Sequence, residues 1–249
     1  MKIHRFVLVL SIFILVALSC SLPTIGSGGS GLNLSDANLG AKVSTSFTIH
    51  RLYTYEGVDK TGSPLKVVSE TLYMEQTEPQ WSSYSMTSLN ANGQPVGDSG
   101  MEGAYQNGKN YAIGGGKCWV NPDKTSHESG FNPGASYLQD MQGTARQAQK
   151  GVNVYNVTAD RYTLDKSNLR WFEHEDGNLK SANLYVAEKE GYFLRYDGIF
   201  QMNKPNLSDI KQKDFDPNKP ILITFAVEQN FFSAGTLKVK IPALCANSQ

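Results

Sequence analysis

Aromatic and β-branched residues alternate with other residues along most of the chain beyond residue 45. In the first such run, Arg51 interrupts a side of the extended backbone that otherwise carries Phe47, Ile49, Tyr53 and Tyr55. Clusters rich in Gly, Asn, Asp and Pro separate the runs, for example at 59–64 and 216–220. A two-residue alternation bounded by turn residues predicts β-strands that bury one face.

The same pattern predicts a long series of strands connected by turns. After the first run, the predicted strands are Leu65–Gln76, Gln80–Leu89, Gly103–Gln106, Lys109–Ile113, Cys118–Val120, Gly151–Leu164, Asn168–Glu173, Leu179–Glu188, Tyr192–Met202, Ile221–Gln229 and Thr236–Ile241. Strands joined by short turns pair antiparallel, and Asn107-Gly108 is a strong signal for a two-residue hairpin. A single sheet of this width has to curl, because its strands twist.

One stretch is typical of a helix instead. Between Pro133 and Gly151, the segment from Ala135 to Gln149 carries apolar residues at spacings of three and four, namely Leu138, Met141, Ala145 and Ala148. Gly143 weakens this pattern. We therefore expect a mainly β fold with a minor α component (α+β), in which a single curved antiparallel sheet forms an incomplete barrel covered by one or two helices.

The N-terminus has the layout of a secretory signal. Lys2 and Arg5 lead into the apolar run Phe6–Leu18, which is too short for a comfortable membrane span. The run ends in Ala17-Leu18-Ser19-Cys20, which resembles the lipobox of bacterial lipoproteins, in which the cysteine receives a diacylglycerol and becomes the new N-terminus. The alternative is an ordinary cleavage site after Ser19 in a freely secreted protein.

The residues that follow Cys20 favour a flexible tether. The segment Gly26-Ser27-Gly28-Gly29-Ser30-Gly31 is too poor in apolar residues to fold. On this interpretation residues 1–19 are a lipoprotein signal peptide, 20–41 a Gly/Ser-rich tether and 42–249 the half-barrel domain. A lipid on Cys20 would hold the protein on an extracytoplasmic membrane face, at the cell surface or in the periplasm.

Cysteine counting supports an oxidising compartment. Three cysteines are an awkward number for a secreted protein, but lipid on Cys20 leaves the pair Cys118 and Cys245. We expect these two to form a disulfide across 127 positions. The alternative is that both thiols are buried and reduced.

Charge and motifs favour no catalytic, metal or cofactor site. The 23 basic and 23 acidic residues balance, and no basic cluster indicates nucleic acid or electrostatic membrane binding. His50, His127 and His174 lie far apart, without a second histidine at ligand spacing. Gly97-Asp98-Ser99-Gly100 is similar to a serine-protease nucleophile segment but is interpreted as a turn, since no histidine lies in the required setting. The sequence leaves open a pair of carboxylates that hydrolyses glycosides, because it does not give the distance between two carboxylates in space.

Taken together, the lipid-anchored start, the long meander and the single helical interruption resemble the LolA-like and LppX-like (LppX/LprAFG) family of lipoproteins and carriers. The residues that carry the resemblance are Gly151–Asp165 and the turn pair Asn183–Tyr196. The resemblance covers most of residues 42 to 242. It implies an incomplete barrel lined with apolar side chains, and some members shuttle lipoproteins or glycolipids.

Aromatic residues are the remaining candidates for function, although a curled sheet needs many of them for its core. A subset could line a hollow for an acyl chain, namely Met141, Tyr192, Leu194, Tyr196, Phe200 and Phe225. We therefore expect a non-catalytic, monomeric extracytoplasmic lipoprotein that binds or carries a lipid or a lipoprotein acyl chain. The alternative is a surface-displayed structural or interaction module with a filled core and no small-molecule ligand. A hydrolase with an unrecognised site is a third, weaker alternative.

Overall fold

The computed structural model describes residues 31–35, 46–77, 79–96, 100–114, 116–121, 141–173, 176–209, 211–233 and 235–246. The predicted signal peptide, Cys20, Gly97–Ser99, His127 and His174 lie outside these residues. The strands within them are β1 Leu32–Asn33, β2 Ser46–Val58, β3 Pro64–Thr77, β4 Gln80–Asn90, β5 Met101–Gln106, β6 Lys109–Gly114, β7 Lys117–Asn121, β8 Thr144–Val154, β9 Val157–Thr163, β10 Gly177–Ala187, β11 Phe193–Met202 and β12 Ile221–Phe232.

The described strands form a single antiparallel sheet of twelve. Its order is β1-β8-β9-β10-β11-β12-β2-β3-β4-β5-β6-β7. The sheet thus consists of two meanders, β2 to β7 and β8 to β12, joined by the long pairing of β12 with β2. Within the described residues β1 and β7 are the two edges, so the sheet is open. The prediction of a mainly β fold with one antiparallel sheet is confirmed.

Alternation along the strands gives the sheet an inner face, which carries Ile49 and Tyr55 of β2 and their partners, and an outer face, which carries the residues between them. Tyr55 lies opposite Ile223 of β12 and Val67 of β3, and all three are buried. The main core covers the inner face of β2, β3 and β9–β12. It is completed by residues from the β9–β10 and β11–β12 connections, namely Leu164, Leu169, Phe172 and Phe215.

The predicted helix at 135–149 is wrong over 144–149, because Thr144–Val154 is strand β8. Residues 135–140 lie outside the described part of the chain. Ala145 is fully buried between exposed Thr144 and Arg146, as expected for a strand. Gly143, at a φ of 71°, turns the chain into β8. Backbone pairing of β8 with β1 and β9 outweighs the weak helical spacing of the apolar residues in this segment.

Covering helices are likewise not found among the described residues. The helical elements there are the four-residue helix α1 (Arg170–Glu173) and two 3-10 turns, Lys166–Asn168 and Ala243–Cys245. The inner face of β9–β12 is covered by connecting segments instead. No helix of the described residues is long and apolar enough to cross a membrane.

Four other predictions differ from the structure. The predicted strand Gly151–Leu164 is broken by a turn at Tyr155 and Asn156, which have φ values of 50° and 65°. The predicted strand Asn168–Glu173 ends in a helix over Arg170–Glu173, and residues 236–241 pair with no described strand. Leu32 and Asn33, which the sequence places in the tether, pair with β8, and Leu34 beside them is buried.

The C-terminal segment crosses the outer face of the β3–β7 half of the sheet. The side-chain amide of Gln106 donates to the carbonyl of Val239 at 2.9 Å, and the amide of Val239 donates to Oε1 of Gln76 at 3.2 Å. Beyond these contacts, Cys245 forms a disulfide with Cys118 of β7. The predicted pairing of the two cysteines is therefore confirmed.

Candidate apolar binding site

A cavity of about 500 Å³ lies on the inner face over β2–β6. Among the described residues that line it, eight are aromatic or aliphatic and five are polar. The apolar wall includes Ile49, Tyr73, Tyr84, Met86 and Tyr105. The volume falls in the range of sites that bind small molecules, which are mostly apolar with a few polar groups.

Strand register explains how this wall is built. Ile49 pairs with Tyr73, and the same line continues across the sheet through Tyr84, Gly103, Ala112 and Trp119. We call these six residues the apolar row. Because neighbouring strands lie about 4.8 Å apart, its five steps span roughly 24 Å. The row ends at Trp119, which is 63% exposed. The inner face therefore offers an elongated apolar track.

The cavity exists because small residues occupy this half of the inner face. On the β10–β12 side large rings meet, with centroids 4.7 Å apart for Tyr196 and Phe225 and 5.9 Å apart for Phe200 and Phe225. On the β5–β6 side the apolar row contributes Gly103 and Ala112, which fill little space. One half of the inner face is thus packed by its own side chains, and the other half leaves room.

Polar groups lie on both sides of the apolar row. On one side Arg51 pairs with Thr71, which in turn pairs with Met86. Burial lowers the pKa of the Arg51 guanidinium, against a smaller opposing effect of Tyr53. An arginine nevertheless stays protonated in a protein, so Arg51 places a positive charge in the cavity wall.

On the other side of the row, Ser82 pairs with Tyr105, which pairs with Asn110. All three line the cavity. The Tyr73 hydroxyl donates to Oε2 of Glu75 at 2.8 Å, and burial together with the Glu75 charge raises the pKa of Tyr73. The lining residues on this side are neutral, and the Glu75 carboxylate beside them accepts a hydrogen bond from Tyr73.

A separate network of charged groups lies on the outer face. His50 Nε2 is 2.6 Å from Oε1 of Glu70, and Arg195 binds both Asp197 at 2.7 Å and Glu228 at 3.2 Å. His50 and Arg51 are adjacent in β2 and therefore point to opposite faces. The described residues hold no group of three or more His, Cys, Asp or Glu side chains that could bind a metal ion.

The structure places the six residues predicted to line a hollow at several points of the sheet. Met141, Tyr196, Phe200 and Phe225 are buried in the main core. Leu194 belongs to a second, smaller cluster with Val154, Ala159 and Ala187, and the Tyr192 ring packs 4.1 Å from that of Phe231. None of the six is among the described residues that line the 500 Å³ cavity.

Sequence reasoning did not find the cavity on β2–β6. One signal was present: Arg51 interrupts an otherwise apolar side of its strand. A second was that the short strands β5 and β6 place Gly103 and Ala112 where longer strands carry large residues. Neither signal identifies a cavity until the strand register is known.

No family model and no curated protein matches this sequence. Among solved structures, the lipoprotein LppX of Mycobacterium tuberculosis matches over 79% of this chain and 90% of its own length, with 11% identity and a TM-score of 0.35. LprF from Mycobacterium bovis matches over 85% and 94%, with 12% identity and a TM-score of 0.38. A LolA superfamily protein from Nitrosomonas europaea matches over 82% and 93%, with 10% identity and a TM-score of 0.27.

The predicted resemblance to LppX-like and LolA-like proteins is confirmed in that such proteins are among the structural matches.

Proposed function

We propose that this chain is a non-catalytic, extracytoplasmic lipoprotein whose inner-face cavity binds the acyl chain of a lipid. The observation that carries the proposal is the 500 Å³ cavity with its largely aromatic and aliphatic wall. Burying an acyl chain there removes about 0.8 kcal/mol of unfavourable hydration per methylene group. No chemical step is needed for such a role.

The shape of the inner face favours a long, thin ligand. The apolar row extends across six strands from Ile49 to Trp119, and Met101 lies exposed beside it on the inner face. Methionine side chains adapt to ligands of differing shape. A single acyl chain that follows the row would lie against aromatic rings along most of its length.

The proposed location rests on the N-terminal pattern and on the disulfide. Cys20 would carry the lipid, and the residues between Cys20 and the first described strand would form the tether. The Cys118–Cys245 disulfide supports an oxidising compartment, because disulfides rarely persist in reducing cytosol. Metabolic labelling with an alkyne fatty acid tests the anchor: label is expected on the wild-type protein and not on Cys20→Ser, and an unlabelled wild-type protein would contradict it.

A fluorescent fatty acid tests the cavity. We expect saturable binding to the purified protein and a loss of binding in Ala112→Phe, which places a ring in the cavity wall. The matched control is Leu52→Phe, which adds a ring at an exposed position of the outer face of β2. Absence of binding to the wild-type protein, or equal binding by Ala112→Phe, would contradict the proposal. If the protein binds no small-molecule ligand, the result would instead support the alternative of a structural or interaction module.

A further inference from the structure

Strands β8 to β10 carry an excess of positive charge. Their basic residues are Arg146 and Lys150 of β8, Arg161 of β9 and Lys180 of β10, and their single acidic residue is Asp160 of β9. The whole chain has 23 residues of each sign, so a charge of +3 on these three strands leaves −3 for the rest. Charge that is balanced over the whole sequence is therefore concentrated on one part of the sheet.

The register of β9 puts the arginine and the carboxylate on opposite faces. Tyr162 belongs to the main core on the inner face, so its neighbour Arg161 points outward and Asp160 points inward. The Asp160 carboxylate accepts hydrogen bonds from Nε2 of Gln147 at 2.7 Å and from the amide of Gly151 at 3.2 Å. Asp160 therefore lies on the other side of the sheet from Arg161.

Three of the cations lie together on β8 and β9. Arg146 pairs with Thr163, which is two positions from Arg161 on β9, so the two arginines are diagonal neighbours about 7–8 Å apart. Lys150 follows Gln149, which pairs directly with Arg161. We call Arg146, Lys150 and Arg161 the basic patch.

The basic patch has no counter-charge within the described part of the chain. None of its three residues takes part in an ion pair there, whereas Arg195, further along the outer face, binds both Asp197 and Glu228. Nε of Arg161 is buried and has no hydrogen-bond partner among the described residues. A buried guanidinium nitrogen without a partner is costly, so an external anion beside it would stabilise the protein.

The first described residues lie next to the basic patch. Leu32 of β1 lies opposite Ala145 of β8, which places Gly31 at the level of Arg146. On the proposed lipid anchor, the 11 residues from Cys20 to Gly31 can span at most about 40 Å. The anchor would therefore keep this edge of the sheet within reach of the bilayer.

We propose that the basic patch binds the anionic head groups of a lipid bilayer, with the outer face of β8 and β9 against the membrane. Each lysine or arginine close to an anionic bilayer strengthens binding about fivefold, so three of them contribute roughly a hundredfold. The guanidinium fork of an arginine also matches the geometry of a lipid phosphate. This binding adds to the proposed anchor and does not depend on what occupies the cavity.

Fluorescence quenching by a lipid with a nitroxide on its head group tests the orientation. One sample carries a fluorophore at Gln149→Cys, beside the basic patch, and a second carries it at Asn92→Cys, in the turn after β4; both positions are exposed. Labelling without reductant keeps the disulfide intact, and the wild type carried through the same labelling gives the background. The full chain is added to vesicles of phosphatidylcholine alone or mixed with phosphatidylglycerol.

We expect quenching at position 149 to be at least about twofold stronger on the anionic vesicles than on the neutral ones, and to lose this difference at high salt. Position 92 should show no such difference. Because both samples have the same N-terminus, the comparison isolates the effect of head-group charge on the basic patch.

Substitution of the patch tests the residues themselves. The variant Arg146→Gln/Lys150→Gln/Arg161→Gln should lose the stronger quenching on anionic vesicles. The matched control replaces three exposed lysines elsewhere and should behave like the wild type, namely Lys60→Gln/Lys213→Gln/Lys219→Gln. Both variants should bind a fluorescent fatty acid like the wild type, which shows that the fold and the cavity are intact.

The outcomes separate this inference from the proposed function. Equal quenching at positions 149 and 92, or stronger quenching on anionic vesicles that survives in the patch variant, would overturn the membrane-binding face and leave the acyl-chain site standing. No response to either kind of vesicle, as expected if the patch binds an acidic protein instead, would also overturn it. If the triple variant does not fold, Arg146→Gln/Lys150→Gln, which changes exposed residues only, should lose most of the difference.

Discussion

The ring of Tyr84 lies over the backbone of Gly103, in the space that a β-carbon at position 103 would occupy. The two residues are register partners on β4 and β5, and both belong to the apolar row. Because position 103 has no side chain, the ring can lie close to the sheet. The missing side chain therefore helps to keep the cavity open.

Replacement of Gly103 by alanine should displace the Tyr84 ring. Since the clashing atoms belong to the far end of a side chain that can rotate, we expect the free energy of unfolding to fall by only about 1 kcal/mol. The displaced ring reduces the cavity, so the affinity for a fluorescent fatty acid should fall about fivefold. Denaturant unfolding and probe titration measure the two effects.

A second substitution checks the cause. In a Tyr84→Ala background, alanine at position 103 has no ring to displace, so its cost should approach zero. If Gly103→Ala costs the same with and without the Tyr84 ring, the contact between the two residues is not the reason for the glycine.

Removal of the Cys118–Cys245 disulfide should destabilise the protein strongly. In the chain-entropy model, a cross-link over 127 positions lowers the entropy of the unfolded chain and so raises the free energy of unfolding by about 4–5 kcal/mol. For a domain of this size that corresponds to a melting temperature lower by at least about 8 °C. Cys118→Ser/Cys245→Ser and the reduced wild type should melt together, and a reductant should not affect the double variant further. A melting temperature that reduction leaves unchanged would contradict a structural disulfide.

Replacement of Gln229 on β12 by methionine should stabilise the protein. Its side chain is fully buried opposite Ile49, and neither amide atom has a hydrogen-bond partner within the described part of the chain. An unsatisfied buried amide costs about 1–3 kcal/mol, so Gln229→Met should raise the free energy of unfolding by an amount of that order. Chemical denaturation of both proteins measures the difference.

The matched control is Gln106→Met. Gln106 is also buried, but its amide donates to the carbonyl of Val239, so its loss should destabilise by about 1–2 kcal/mol. If both glutamine substitutions destabilise the protein equally, the amide of Gln229 has a partner and the interpretation is wrong.

The Tyr155 hydroxyl should make the free energy of unfolding depend on pH in the alkaline range. Its hydroxyl lies against Glu228 and Arg195, and burial, followed by the hydrogen bond to Glu228, raises the pKa of Tyr155 to about 12. An unfolded tyrosine titrates near about 10. The contribution of the neutral hydroxyl is therefore complete below about pH 10 and is lost as the pH rises toward about 12.

The difference in stability between the wild type and Tyr155→Phe reports this contribution. We expect urea unfolding to give a constant difference from pH 8 to about pH 9.5 and a shrinking one above that. A difference that stays constant up to pH 11 would show that the hydroxyl does not titrate as the structure indicates.

Much of the sheet could be predicted because its long strands keep one face buried along their length. The alternation in β2 and β12 is clear, and Asn107-Gly108 forms the expected turn with positive φ at both residues. The turn at Tyr155 and Asn156 was missed because tyrosine rarely adopts a positive φ, and Asn156 alone is a weaker turn signal than an Asn-Gly pair. β1 has two residues and is defined only by its partner β8.

The cavity could not be predicted because it depends on residues that only the register brings together. Ile49 and Trp119 are 70 positions apart and belong to the same row across six strands. The rings of Tyr196, Phe200 and Phe225 give a stronger apolar signal in the sequence, and they fill the other half of the inner face. Aromatic content indicates where a core is packed and does not indicate where space is left.

A crystal structure of the protein with a fatty acid that carries bromine at its terminal carbon tests the acyl-chain site most directly. We predict an anomalous bromine peak on the inner face, along the apolar row between Ile49 and Trp119. A cavity filled by the protein's own side chains, or bromine bound only on the outer face, would contradict the account.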